Sequence, residues 1–136
     1  MPAIFARIAI ILASCLLGAS FSPSSVAQQQ NPPIQRIEVE LTDYKFKPSV
    51  IEVTAGKPVE LVLKNRDLIT PHDFTLDAPQ SGMAPIKAEV GAGETVTITL
   101  HPTVPGEYSF SCSKKLLFFA SHRERGMEGT LKVSAP

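Results

Sequence analysis

Pro105-Gly106-Glu107-Tyr108-Ser109-Phe110-Ser111-Cys112 opens on a turn pair and then alternates, with Tyr108, Phe110 and Cys112 separated by Ser109 and Ser111. Successive strand side chains point to opposite faces of a sheet, so residues two apart share a face. The stretch reads as a half-buried strand that ends with Cys112 on its inward side.

The same period recurs on either side of it. Ile37, Val39 and Leu41 alternate with Glu38 and Glu40. Ile51 and Val53 come after Pro48, and Val59, Leu61 and Leu63 alternate with Glu60 and Lys64. His72, Phe74 and Leu76 share one parity, so His72 points the way the core residues do. Val96, Ile98 and Leu100 alternate with threonines, and Leu131 and Val133 end the chain. Period two with Val, Ile and Thr enrichment marks half-buried strands. Ala55-Gly56-Lys57-Pro58, Ala92-Gly93-Glu94 and Pro105-Gly106 punctuate the runs. Roughly six to eight strands with no long helical pattern predict an all-β sandwich over residues 36–136.

Residues 1–27 read as a secretory leader. Arg7 precedes the apolar run Ile8 to Leu17, and Ser25-Val26-Ala27 supplies small residues for cleavage. The apolar run is short for a membrane span and is broken by Gly18 and Ser20. A lipoprotein box ending at Cys15 is a weaker variant, because the residues just after Cys15 are apolar and not polar. Residues 28–35, polar and proline-rich, read as a linker. The chain carries 13 Lys and Arg against 13 Asp and Glu, a balance that argues against a nucleic-acid partner. Cleavage would remove Cys15 and leave Cys112 unpaired in an oxidising compartment, where cysteines are usually paired. The lone thiol is inert, bridges to another chain, or binds a metal.

Its company favours the last. His72, Cys112, His122 and Met127 offer two imidazoles, a thiolate and a thioether. Two histidines and a cysteine with a weak axial methionine is the donor set of a blue-copper electron-transfer site. Thiolate and thioether suit Cu(I), and imidazole suits both oxidation states. Zinc would accept the histidines and cysteine but gain little from Met127. Seen singly, each residue has a plainer reading: His72 as a core histidine, Met127 as a gap-filler, His122 as a surface residue. Met83 reads as loop packing and His101 as a turn residue.

The strand into Cys112 resembles that leading to the copper cysteine of plastocyanins and related cupredoxins. His122-Arg123-Glu124-Arg125-Gly126-Met127-Glu128-Gly129 resembles the plastocyanin segment with the second histidine and the methionine. The resemblance covers roughly residues 36–134 and implies a Greek-key sandwich with copper near one end. It makes His72, Cys112 and His122 equatorial ligands and Met127 axial. Two positions depart from the family pattern. Asp73 stands where an Asn usually comes after the first histidine and braces the cysteine sulfur. Nine residues, Ser113 to Ser121, separate Cys112 from His122 where plastocyanins have two, although copper nitrite reductases also have a long gap there.

The resemblance implies a periplasmic one-electron carrier rather than an enzyme, with electrons leaving by the His122 edge. The alternative is copper or iron handling, as a metal chaperone or an Fe(II)-oxidising protein linked to metal uptake; a metal-free interaction module leaves the four donors unexplained. The 113–121 insertion, short and helical or irregular, is too apolar at Leu116-Leu117-Phe118-Phe119 for an ordinary loop. Some of these residues are expected to pack over the copper end and at least one to reach the surface. Lys114, Lys115, Arg123 and Arg125 are expected to rim that patch and to favour a redox partner with an acidic surface.

Overall fold

The computed structural model describes residues 33–136. The expected leader and most of the expected linker lie outside the described residues. There are nine strands: β1 (Gln35–Thr42), β2 (Lys45–Lys47), β3 (Val50–Thr54), β4 (Val59–Asn65), β5 (His72–Leu76), β6 (Ile86–Val90), β7 (Thr95–Leu100), β8 (Gly106–Ser111) and β9 (Glu128–Ser134) among the described residues. One sheet has the order β2-β1-β4-β7 and the other β3-β9-β8-β5-β6. Most pairings are antiparallel; β1 runs parallel to β4, and β3 parallel to β9. The result is an all-β Greek-key sandwich. Among the described residues the only helical element is one 3-10 turn, Pro79–Ser81.

Two strands have no clear sequence signal. β2 is three residues long and is entered through Asp43 and Tyr44, both at positive φ. In β6 the inward positions Ile86 and Ala88 are only half-buried, so its apolar contrast is faint.

The two inner faces meet in one core. Val39, Leu41, Leu61, Leu63 and Leu100 from the first sheet pack against Ile51, Phe74, Leu76, Phe110 and Leu131 from the second. Burial of each large apolar side chain stabilises the fold by about 1.5–3 kcal/mol. Phe110 is central: it stacks on Phe74 with centroids 4.9 Å apart and meets Phe46 edge-on at 5.0 Å. Gly129 faces Phe110 across the β8–β9 ladder and leaves the ring its space. Before β8, Tyr108 Oη donates to the Val104 carbonyl at 2.9 Å and fixes the turn into the strand. The start of β5, the end of β8 and the turn before β9 thereby converge at one end of the sandwich.

Candidate metal centre

His72 is the first residue of β5 and is fully buried. The loop before it is folded around Asn65, whose Nδ2 donates to the carbonyls of Thr70 (2.8 Å), Val90 (3.2 Å) and Gly91 (3.0 Å). Cys112 comes directly after β8 and is also fully buried. Its backbone N–H donates to the Met127 carbonyl at 3.0 Å, and Met127 N–H donates to the His122 carbonyl at 2.9 Å. These two bonds tie three of the expected ligands to one another through the backbone. The turn carrying His122 is closed by reciprocal bonds, Ser121 N–H to Glu124 Oε2 (2.6 Å) and Glu124 N–H to Ser121 Oγ (3.2 Å). Gly126, at φ +92°, lets the chain reverse into Met127.

The donor atoms face one another. His72 Nδ1 lies 3.1 Å from His122 Nδ1, and Cys112 Sγ lies 3.4 Å from His122 Nδ1 and 4.0 Å from His72 Nδ1. An ion bonded at about 2.0–2.1 Å to nitrogen and about 2.3 Å to sulfur in a trigonal plane needs separations of about 3.5 Å and about 3.8 Å. The three atoms lie close to that triangle without rearrangement of the strands. Met127 is fully buried and is bonded through its backbone to both Cys112 and His122; of the four residues only His122 reaches solvent, with 8% of its surface exposed.

Burial sets the protonation of the donors. Burial pushes the Cys112 thiol up to about 11, against the backbone N–H groups of Asp73 and Lys114 directed at the sulfur. Burial, then the neighbouring His72 and Arg125, hold the His122 imidazole below its ordinary value. Near neutral pH the site therefore favours a protonated thiol beside a neutral imidazole, and a soft ion can displace the thiol proton. A thiolate and two imidazoles, with the buried methionine of the adjoining turn as a further soft donor, fit copper.

Asp73 keeps the bracing place the resemblance gives to Asn. Its backbone N–H donates to Cys112 Sγ at 3.3 Å, and its carboxylate accepts from Ser113 N–H and Ser113 Oγ, each at 2.6 Å. Residues without a sequence signal complete the surroundings. Asp67 Oδ2 lies 2.8 Å from His72 Nε2. Burial works to raise the Asp67 carboxyl, but bonds from His72, Thr42 and the Asp43 backbone outweigh it and hold the group below its ordinary value. Tyr44 stands edge-on to His122 at 4.8 Å between centroids, and the Arg125 guanidinium lies 4.6 Å over the Tyr44 ring. Met83 packs against the core, and His101 donates to the Gly56 carbonyl at 3.3 Å; neither joins the site.

The insertion differs from its expected packing. It is irregular, with one turn closed by Phe119 N–H on the Leu116 carbonyl at 2.9 Å. Leu116, Leu117, Phe118 and Phe119 are all exposed, from 57% to 99%, so none is buried over the donors. Leu116 and Phe119 instead line an open cleft of about 390 Å³ with Tyr44, Ile69, Pro71 and His122. Ser113–Asp73 bonds and the Tyr44 ring cover the site where the apolar run was expected to. The basic rim is partly spent as well. Lys114 pairs with Glu89, Arg123 with Glu128, and Arg125 with the Tyr44 ring, which leaves Lys115.

The family described as the cupredoxin-like domain matches residues 8–127. A plastocyanin of Dryopteris crassirhizoma is 27% identical over 110 residues, covering 72% of this chain and 98% of that protein. The fold is similar to auracyanin B, with a TM-score of 0.58 at 24% identity, covering 74% of this chain and 88% of that one. It is also similar to auracyanin A of Chloroflexus aurantiacus, described as a blue copper protein, with a TM-score of 0.59 at 18% identity over 75% of this chain and all of that one. Matched over most of its length and presenting this donor set, the chain belongs to the cupredoxin-like family, with one copper ion as its cofactor.

Proposed function

We propose that the protein is an exported, periplasmic one-electron carrier whose copper would be held by His72, Cys112 and His122, with Met127 as a weaker fourth donor. Copper supplies a Cu(I)/Cu(II) couple. The observation that carries the reading is the preassembled donor triangle, whose His, Cys and His atoms all lie within 4.8 Å of one another in a buried pocket. β5 fixes His72, β8 fixes Cys112, and the backbone bonds through Met127 fix His122, so the donors need little movement when charge changes. That rigidity favours rapid electron exchange. Burial of the donors favours keeping the ion over handing it on.

His122 is the ligand nearest solvent and is the proposed exit for electrons. Ile69, Leu116 and Phe119 are exposed and line a cleft with it, and they supply the contact with a redox partner, because large apolar patches on soluble proteins mark interaction sites. Lys115 adds a preference for an acidic partner surface. The leader pattern in residues 1–27 supports export.

The test is the visible spectrum and redox titration of the copper-loaded protein. One copper per chain, an intense thiolate-to-Cu(II) band and a reversible one-electron couple are expected. A folded, copper-loaded protein without that band would sink the assignment. Copper that passes readily to a chelator would instead point to metal handling.

A further inference from the structure

We propose that Asp67 is a positioning residue of the copper centre: its carboxylate fixes the His72 tautomer and biases the bound metal toward Cu(II). This rests on the proposed ligand set. His72 is fully buried, and both of its ring nitrogens are engaged. Nδ1 faces His122 Nδ1 and Cys112 Sγ, while Nε2 lies 2.8 Å from Asp67 Oδ2. A carboxylate only accepts, so the His72 proton sits on Nε2 and the Nδ1 lone pair faces the metal position.

Asp67 is not a loose surface partner. Its Oδ1 accepts from Thr42 Oγ1 at 3.1 Å and from the Asp43 backbone N–H at 3.4 Å. Its own N–H donates to Asn65 Oδ1 at 3.0 Å, and its carbonyl accepts from Gly93 N–H at 3.0 Å. Thr42 and the β1–β2 turn therefore hold the carboxylate itself, and the end of β4 and the β6–β7 turn hold the Asp67 backbone behind it.

Ordinary electrostatics then has two effects at the metal. A carboxylate on the outer nitrogen makes the imidazole a stronger donor, as outer partners of metal-bound histidines generally do. Its negative charge, close to the metal position and largely shielded from water, also favours the more highly charged ion. Cu(II) gains more than Cu(I), and the reduction potential falls. In the metal-free protein the same tautomer makes His72 Nδ1 an acceptor, so His122 Nδ1 carries the proton of the 3.1 Å contact.

The test has two arms. In the metal-free wild type, nitrogen-detected NMR of the His72 ring reads the tautomer directly. A proton on Nε2 is expected, and one on Nδ1 overturns the proposal whether or not any variant folds. In the copper protein, Asp67→Asn keeps an oxygen for His72 but removes the charge. Outer-partner changes typically cost about 10–100-fold in metal affinity. At least a tenfold loss of Cu(II) affinity relative to Cu(I) is expected, a potential raised by about 59 mV or more for one electron, with Asp67→Glu restoring part of it. An unchanged potential in a folded Asn variant that keeps its copper band would reduce Asp67 to a loop clamp. A wild-type protein with no copper band would sink the proposed ligand set instead and leave the NMR arm standing.

Discussion

The backbone N–H of His122 donates to the carbonyl of Lys114 at 2.8 Å. This one bond closes residues 115–121 into a loop outside the sandwich. It also brings the chain leaving Cys112 to His122 by way of Ser113 and Lys114 alone. The long gap therefore does not loosen the donor set, because the position of His122 is fixed at the neck of the loop.

Deleting residues 115–121 is a direct check. It leaves Cys112-Ser113-Lys114-His122, with two residues between cysteine and histidine. Loop length itself carries little free energy, roughly 0.6 kcal/mol per doubling. The deletion also removes Ser121 and its two bonds to Glu124, so it should keep the thiolate-to-copper band while costing about 1–3 kcal/mol in stability. Loss of copper binding in a folded deletion variant would show that the loop, and not its neck, places His122.

Gly129 should resist even one added methyl group. A Cβ there would press on Phe110 Cζ and on the Ser49 carbonyl oxygen, well inside van der Waals contact. That oxygen already accepts from Thr130 N–H at 2.8 Å and has little freedom to retreat. Gly129→Ala should cost about 1–3 kcal/mol in denaturant unfolding. Phe110 is two residues from Cys112 on the same face, so the copper band should shift too. A variant as stable as the parent would mean the β8–β9 ladder is softer than its register implies.

These positions differ in how far a linear reading can reach them. Period two places His72 and Cys112 on inward faces because strand parity is local, and the core is built on those faces. The ligand types add the chemistry. Asp67 is invisible in the sequence because its role depends on Thr42, Asn65 and Gly93, which only the folded sheets bring together. The 116–119 run misleads for the opposite reason. Apolarity predicts burial only where a surface is available, and the Lys114–His122 neck turns this loop away from the core.

The metal-free protein should weaken in alkali through Cys112. Its thiol is pushed up to about 11 in the fold from an unfolded value near 9, so the folded state binds more protons between those limits. The stability from the protonated, buried thiol is fully present below about pH 9 and is lost as pH rises through about 11. The loss should be of the order of 2 kcal/mol. Cys112→Ala, unfolded in the same buffers, removes this contribution while leaving the tyrosines and lysines to titrate. Parallel pH curves for the two proteins would refute the assignment.

Met127 should tune the couple more than it retains the ion. A weak axial donor adds little affinity but stabilises Cu(II). Met127→Leu keeps an apolar side chain of similar volume in a fully buried position. It should keep copper and its band, with a higher reduction potential by voltammetry. Complete loss of copper would make Met127 a principal ligand, contrary to the proposed axial role.

The exposed loop tip should govern encounters and not the site. Phe118 is 99% exposed and Leu117 74%, so neither side chain contributes appreciably to core packing. Leu117→Ser with Phe118→Ser should leave the spectrum intact and change stability by no more than about 0.5 kcal/mol per site. Electron self-exchange between Cu(I) and Cu(II) forms of the protein offers a probe that needs no other partner. On the proposed His122 exit two copies bring their His122 edges together, and Leu117 and Phe118 sit in the loop between Leu116 and Phe119, which line the cleft with His122. Aromatic anchors often dominate such contacts, so the double variant should exchange at least about tenfold more slowly, about 1.4 kcal/mol of encounter free energy. Lys114 and Arg123 are paired with acids and Arg125 lies on Tyr44, so self-exchange should depend little on salt. An acidic partner would show itself differently, as a transfer rate that falls with ionic strength in the parent and much less in Lys115→Glu. Self-exchange unchanged by the double substitution would remove the loop from the electron path and leave His122 to meet its partners through Tyr44 and Pro71.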